Sequence, residues 1–147
     1  MVEQQIVISY YLGVYIQALS DGFNNNPYTD NSSSVPIVST RRRKYFAKKG
    51  RKYTKIIEVV FDSRDIEFDE VIYDRFATAS VHAFIDNATG DVLKPAGWKS
   101  PAKGVRFNLL NDESRQLLIE KALERDSFTG GYLYASMLKN RMEVANG

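Results

Sequence analysis

Residues 41–55 carry nine Lys or Arg and no acid. Burying an unpaired charge is costly, so such a block must stay at the surface of whatever this chain folds into. It runs directly into residues 53–61 (YTKIIEVVF), a β-branched and apolar run that predicts a strand. The rest of the chain holds eleven bases against eighteen acids. The formal net charge of +2 therefore hides a strong local positive potential. The sharpest acidic stretch, residues 58–74 with seven acids and one Arg, follows at once. It could neutralise the block within the same fold.

Around this block the chain reads as α+β. Residues 4–20 place Ile6, Ile8, Leu12, Tyr15, Ile16 and Leu19 at helical spacing, and Asp21-Gly22 would end that helix. Fifteen of the twenty residues in 21–40 are Asp, Gly, Asn, Pro, Ser or Thr, which predicts a polar loop. Residues 62–69 read as a turn region, with strands near 70–77 and at 79–86. The run from Asp86 to Asp91 reads as a hairpin turn with Gly90 free to take a positive φ, and 91–95 as its partner strand. Residues 95–104 (PAGWKSPAKG) are an irregular loop, followed by a short strand at 105–109. Asn111 and Asp112 predict an N-cap for a helix over 112–125, and Glu113 suits the positive end of its dipole. Gly130 and Gly131 break the chain before a last helix from Tyr132 to about Glu143, with Tyr134, Met137, Leu138 and Met142 as its buried stripe. The expected architecture is an antiparallel sheet with helices packed on one face. It forms a single domain over 1–147, with a polar loop at 21–40 and a basic arm at 41–55.

The absence of cysteine excludes disulfides, thiolate metal sites and thiol nucleophiles. The N-terminal apolar stretch is interrupted by Gln5, Gln17 and Asp21, and reads as neither a signal peptide nor a membrane span. Sequons at Asn31 and Asn87 are attributed to chance. The acids Asp62, Asp65, Glu67, Asp69 and Glu70 do not follow calcium-loop spacing. With one His, a structural zinc site is not expected. That residue, His82, falls in a strand, where His82, Phe84 and Asp86 would point the same way. No nucleophile motif accompanies it, so it reads as a strand histidine bonded locally. No P-loop or dinucleotide fingerprint occurs, and neither a cofactor nor catalysis is expected.

Two regions carry binding chemistry. In the basic block, Arg41, Arg42, Arg43, Lys44, Lys48, Lys49, Arg51, Lys52 and Lys55 would grip phosphates and release their counterions. Tyr45, Phe46 and Tyr53 lie among them and would stack bases, a combination suited to single strands. The second region, 94–107, places Trp98 among Lys94, Lys99, Lys103 and Arg106 with no intervening acid. Its Gly and Pro residues would let backbone N–H groups form an anion nest. The plainer reading has Trp98 anchoring the loop while the lysines reach water.

Residues 80–109 resemble a stretch shared by small proteins of tailed bacteriophages. The likeness lies in Ser80, Val81, His82 and Phe84, in Thr89, Gly90 and Asp91, in the WKSPAK run from Trp98, and in Arg106 and Asn108. Residues 131–133 echo a Tyr-Leu segment of the same pattern, whereas the first 40 residues and 62–74 depart from it. The resemblance implies a phage protein made in a bacterial cytoplasm, or carried in the virion. It supplies no catalytic residue. It brings nucleic-acid handling, virion assembly and counter-defence into view.

The residues and the resemblance together predict a phage-encoded, non-enzymatic nucleic-acid-binding protein with a preference for single strands and no membrane partner. A virion structural or assembly protein, contacting an acidic protein surface or its own copies, is the first alternative. A counter-defence sponge or inhibitor of a host enzyme is the second.

Overall fold

The computed structural model describes residues 2–25, 29–30, 37–62 and 79–134. Helix α1 (Val2–Asn24) opens the chain. Strands β1 (Thr29–Asp30) and β2 (Ile37–Val38) pair as a small antiparallel sheet. Strands β3 (Arg41–Lys49), β4 (Tyr53–Asp62), β5 (Ser80–Asp86), β6 (Asp91–Leu93) and β7 (Phe107–Asn108) form the main sheet. They lie side by side in chain order, every pair antiparallel, with β3 first in that order among the described strands. Helix α2 (Asp112–Ala122) and two 3₁₀ turns (Arg125–Thr129 and Gly131–Leu133) complete the described chain. The α+β class with an antiparallel sheet stands.

The main core lies between the sheet and the two helices. Ile8, Leu12, Tyr15 and Leu19 of α1 and Leu118 and Ala122 of α2 pack on Tyr45, Ile56, Ala83, Ile85, Val92 and Phe107. The α1 residues recur at the helical spacing read from the sequence, although Ile6 is exposed instead. A second cluster, Phe46, Ile57 and Val59 with Val81 against them, sits on the opposite face of the sheet.

Several boundaries differ from the sequence reading, each for a local reason. Helix α1 continues through Asp21 and Gly22 because Gln17 donates to Asp21 Oδ1 (2.8 Å) and Asn24 to Ser20 Oγ (3.0 Å). Gly22 is there for close approach: a Cβ would stand 2.5 Å from the carbonyl oxygen of Ala122. The polar loop at 21–40 therefore begins late, and it contains β1 and β2. The partner strand at 91–95 is confined to Asp91–Leu93, and 105–109 to Phe107–Asn108. Helix α2 stops at Ala122 but starts as expected, with Asn111 Oδ1 accepting from Ser114 N (2.8 Å). Gly90 takes a φ of 77°, completing the expected turn. Tyr132 opens no α-helix: residues 131–133 form one 3₁₀ turn, and Tyr134 is extended and exposed. Of the turn expected at 62–69, Asp62 is the last residue of β4; the rest of it, the strand near 70–77 and the positions of Met137, Leu138 and Met142 lie outside the described residues.

Candidate nucleic-acid interface

The basic block is not a projecting arm. It builds strand β3, a tight turn, and the start of β4. The ladder pairs Arg43 with Val60, Tyr45 with Glu58, Lys48 with Lys55, and Lys49 with Thr54. Alternation along β3 then sorts its side chains. Tyr45 faces the helices and is buried, and Phe46 faces the other way and is buried too. Neither can stack on a base, which corrects the expectation for both. Arg43 is also withdrawn. Its guanidinium lies over the rings of Phe23 (4.9 Å) and Phe128 (4.2 Å) and pairs with Glu58 at 3.4 Å. Arg42 turns back to the carbonyls of Ser39 (2.7 Å) and Arg41 (2.8 Å), and Arg41 is exposed.

Apart from Arg41, at the far end of β3, the exposed cations of the block gather at the β3–β4 turn. Lys48, Lys49, Arg51 and Lys52 are exposed, and Lys55 is half-buried on the same face as its partner Lys48. Lys49, Arg51, Lys52 and Lys55 pair with no carboxylate among the described residues. Tyr53 stays half-exposed beside them, with Lys52 Nζ at 5.2 Å from its ring. It is the one aromatic of the block left where a base could reach it. Asn87, from the β5–β6 turn, fixes the shape of this tip. Its side chain donates to the carbonyls of Gly50 (2.9 Å) and Arg51 (3.4 Å) and accepts from Thr54 Oγ1 (2.6 Å). Its backbone N–H donates to Lys52 O (2.9 Å). The sequence presents Asn87 as part of a chance sequon, and only the tertiary fold reveals its role.

The second basic region lies elsewhere. Tyr53 pairs with Asp86, so the β3–β4 turn sits at the end of β5 that leads into β6. Strand β6 runs back from there, and Phe84 pairs with Leu93, so the loop after β6 leaves at the opposite end of the sheet. Trp98 is 45% exposed on that loop, with Lys99 and Lys103 exposed near it. Arg106 is buried, donating to the carbonyls of Leu133 (2.6 Å), Lys103 (3.0 Å) and Gly104 (2.7 Å). It holds the loop closed and is not available to a ligand, contrary to the sequence expectation. Asn108 is likewise occupied, donating to Asp91 Oδ1 (2.7 Å) and accepting from Leu110 N (2.7 Å). Within the 80–109 stretch these two residues serve the architecture.

A family model matches residues 1–135, described as a family of unknown function (DUF7717). The chain belongs to the DUF7717 family. No curated protein and no solved structure matches it.

The DUF7717 chain also contains a buried polar cluster that the sequence did not announce. Tyr45 donates to Glu58, the hydroxyls of Tyr15 and Tyr132 are hydrogen-bonded, and His82 Nε2 lies 2.6 Å from Tyr132 Oη. The strand irregularity between Ile56 and Ile57 makes this possible. Ile56 pairs with Ala83 and Ile57 with Val81, so His82 is the extra residue of a bulge. The bulge turns His82 towards Tyr45 and Tyr132, while Phe84 packs against Tyr53 on the other face. The expected alignment of His82 with Phe84 is thereby broken. Burial pushes the Glu58 carboxyl up, lowers His82 to about 3, and raises the hydroxyls of Tyr15, Tyr45 and Tyr132. His82 is therefore neutral at physiological pH. The cluster joins α1, three strands and the last 3₁₀ turn, and its partners satisfy one another. It reads as an internal brace.

Proposed function

We propose that this protein binds nucleic acid, with a preference for single strands, through the tip of the β3–β4 hairpin. Lys48, Lys49, Arg51, Lys52 and Lys55 contact phosphates and Tyr53 offers a ring for stacking. One observation carries the reading: cations from both strands and the turn converge on one tip, and Asn87 holds its backbone in shape. Lysines on β3, first in order among the described strands, can also serve to deter edge-to-edge pairing. That accounts for Lys44 and Lys48 on β3. It does not account for Arg51 and Lys52, which lie in the turn beyond the strand. Preorganising the turn also lowers the ordering cost of binding. In the phage setting implied by residues 80–109, DNA or RNA handled in the host cytoplasm is the natural ligand class.

The test is fluorescence anisotropy with labelled single- and double-stranded DNA and RNA at two salt concentrations. Wild-type affinity falls steeply with salt. A Lys49→Ala, Arg51→Ala, Lys52→Ala chain loses affinity about tenfold or more, and its salt slope flattens by roughly 2, at about 0.7 per lost single-strand contact. An unchanged dissociation constant in the triple variant would reject the proposal.

A further inference from the structure

Helix α1 has a glycine at its centre, which a helix ordinarily disfavours. A Cβ at Gly13 would meet no atom within 4 Å, so no internal packing explains the missing side chain. Gly13 instead lines a groove of about 490 Å³ between α1 and the basic hairpin. That volume falls in the range of sites for small organic ligands, about 300–1,000 Å³. Ile8, Leu12, Ala47 and Ile85 give the groove an aliphatic floor. Lys49 and Arg51 stand on its rim on the hairpin side, and Gln5 and Ser9 on the helix side. All four of these groups, Gln5, Ser9, Lys49 and Arg51, are exposed. An apolar floor beside two cations, with neutral hydrogen-bonding groups opposite, is complementary to one chemistry: a flat apolar-faced ring carrying a phosphate.

We propose that this groove seats one nucleotide unit, its base on the aliphatic floor beside Gly13 and its phosphate at Lys49 and Arg51. The inference deepens the hairpin reading and rests on it. It adds that affinity has a base-dependent part as well as a phosphate-dependent one. Gly13 keeps the floor open, and Gln5 and Ser9 face the edge of the base.

The test compares labelled dT12 with an abasic strand of the same length, on the full chain and on Gly13→Ala and Gly13→Leu variants. Wild type binds dT12 more tightly than the abasic strand, by about fivefold or more if one base is seated. Gly13→Ala, which adds helix propensity and only one methyl, keeps the melting temperature or raises it. Gly13→Leu keeps the circular dichroism spectrum and the salt slope, because no cation is lost, but abolishes the preference for dT12. Competition with dTMP separates the two sources of the ligand: displacement of the base-dependent component shows that a free nucleotide enters, and its persistence assigns the site to the strand. Equal binding of dT12 and the abasic strand by wild type overturns the groove while leaving the hairpin reading intact. Loss of all binding in the Lys49, Arg51, Lys52 variant with no effect of a folded Gly13→Leu does the same. A wild-type dimer that Gly13→Leu converts to a monomer would give the groove to a second copy of the chain and overturn the nucleotide. If neither variant alters binding, both readings fail together.

Discussion

Lys48 and Lys55 stand directly opposite each other across the β3–β4 ladder, on the same face of the sheet. Like charges so placed repel, and opposite charges there contribute roughly 0.2–1 kcal/mol. Selection for stability alone favours an acid at one of the two positions. Lys55→Glu, which places an acid opposite Lys48, is therefore expected to raise the stability of the fold by a few tenths of a kcal/mol while weakening single-strand binding. Urea unfolding and anisotropy on the same preparation check both halves. A variant that is more stable and binds as well as wild type would mean that the pair has no part in binding.

Asn87 allows a change in shape to be separated from a change in charge. It holds the carbonyls of Gly50 and Arg51 from a neighbouring turn, and it carries no charge itself. Asn87→Ala releases the tip, so the five cations must be ordered on binding at a cost of about 0.5–1.5 kcal/mol per immobilised side chain. The expected result is weaker binding with an unaltered salt slope. Faster hydrogen exchange at residues 50–53 would accompany it.

Arg43 belongs to the fold rather than to the interface. Its side chain is only 15% exposed, lies between Phe23 and Phe128, and neutralises the buried Glu58. Its Nε is buried with no hydrogen-bond partner, so its charge is compensated through Glu58 and the two rings. Arg43→Ala strands the Glu58 carboxylate, and breaking such a pair costs about 3–5 kcal/mol. Arg41→Ala, at an exposed position, is expected to change stability by less than about 0.5 kcal/mol. Thermal melts of the two variants decide this, and equal melting temperatures would remove Arg43 from the core.

Much of the fold was legible because its signals are local. The turn around Gly90 and the Asn111 cap each depend on residues within a few positions of one another. What was missed depends on distant partners. Gly22 reads as a helix stop until the backbone of Ala122 is seen beside it. The bulge at His82 leaves no mark in a run of β-forming residues, yet it decides which face the imidazole takes. In the basic block, charge obscured a strand period that was present. Tyr45 and Phe46 are adjacent, so in a strand they must point to opposite faces, and both faces of β3 carry buried clusters at that point. Of the cations that stay exposed, Arg51 and Lys52 lie in the turn, where alternation no longer sorts them, and Lys48 and Lys49 lie at the end of β3 that leads into it.

His82 gives the protein a pH dependence whose sign follows from its burial. In the native chain its pKa is lowered from 6.5 to about 3, by desolvation first and by the charge of Arg43 second. Between those values the unfolded chain takes up a proton that the native chain refuses. The stability this site contributes is complete above pH 6.5 and is lost as the pH falls towards 3, by up to about 1.4 kcal/mol per pH unit. Glu58 acts in the opposite sense: its carboxyl is raised above 4.5, so its contribution weakens as the pH rises through and beyond that value. Because Glu58 titrates in wild type and in a His82 variant alike, the difference between the two chains isolates the imidazole. His82→Gln retains a hydrogen-bonding group for Tyr132 and has nothing to protonate. It is expected to be less stable than wild type at pH 7.5 but to lose less stability on acidification to pH 5. Urea titrations at three pH values measure the two slopes, and parallel slopes would show that His82 takes up its proton as readily in the native chain as in the unfolded one, leaving the brace without its neutral centre.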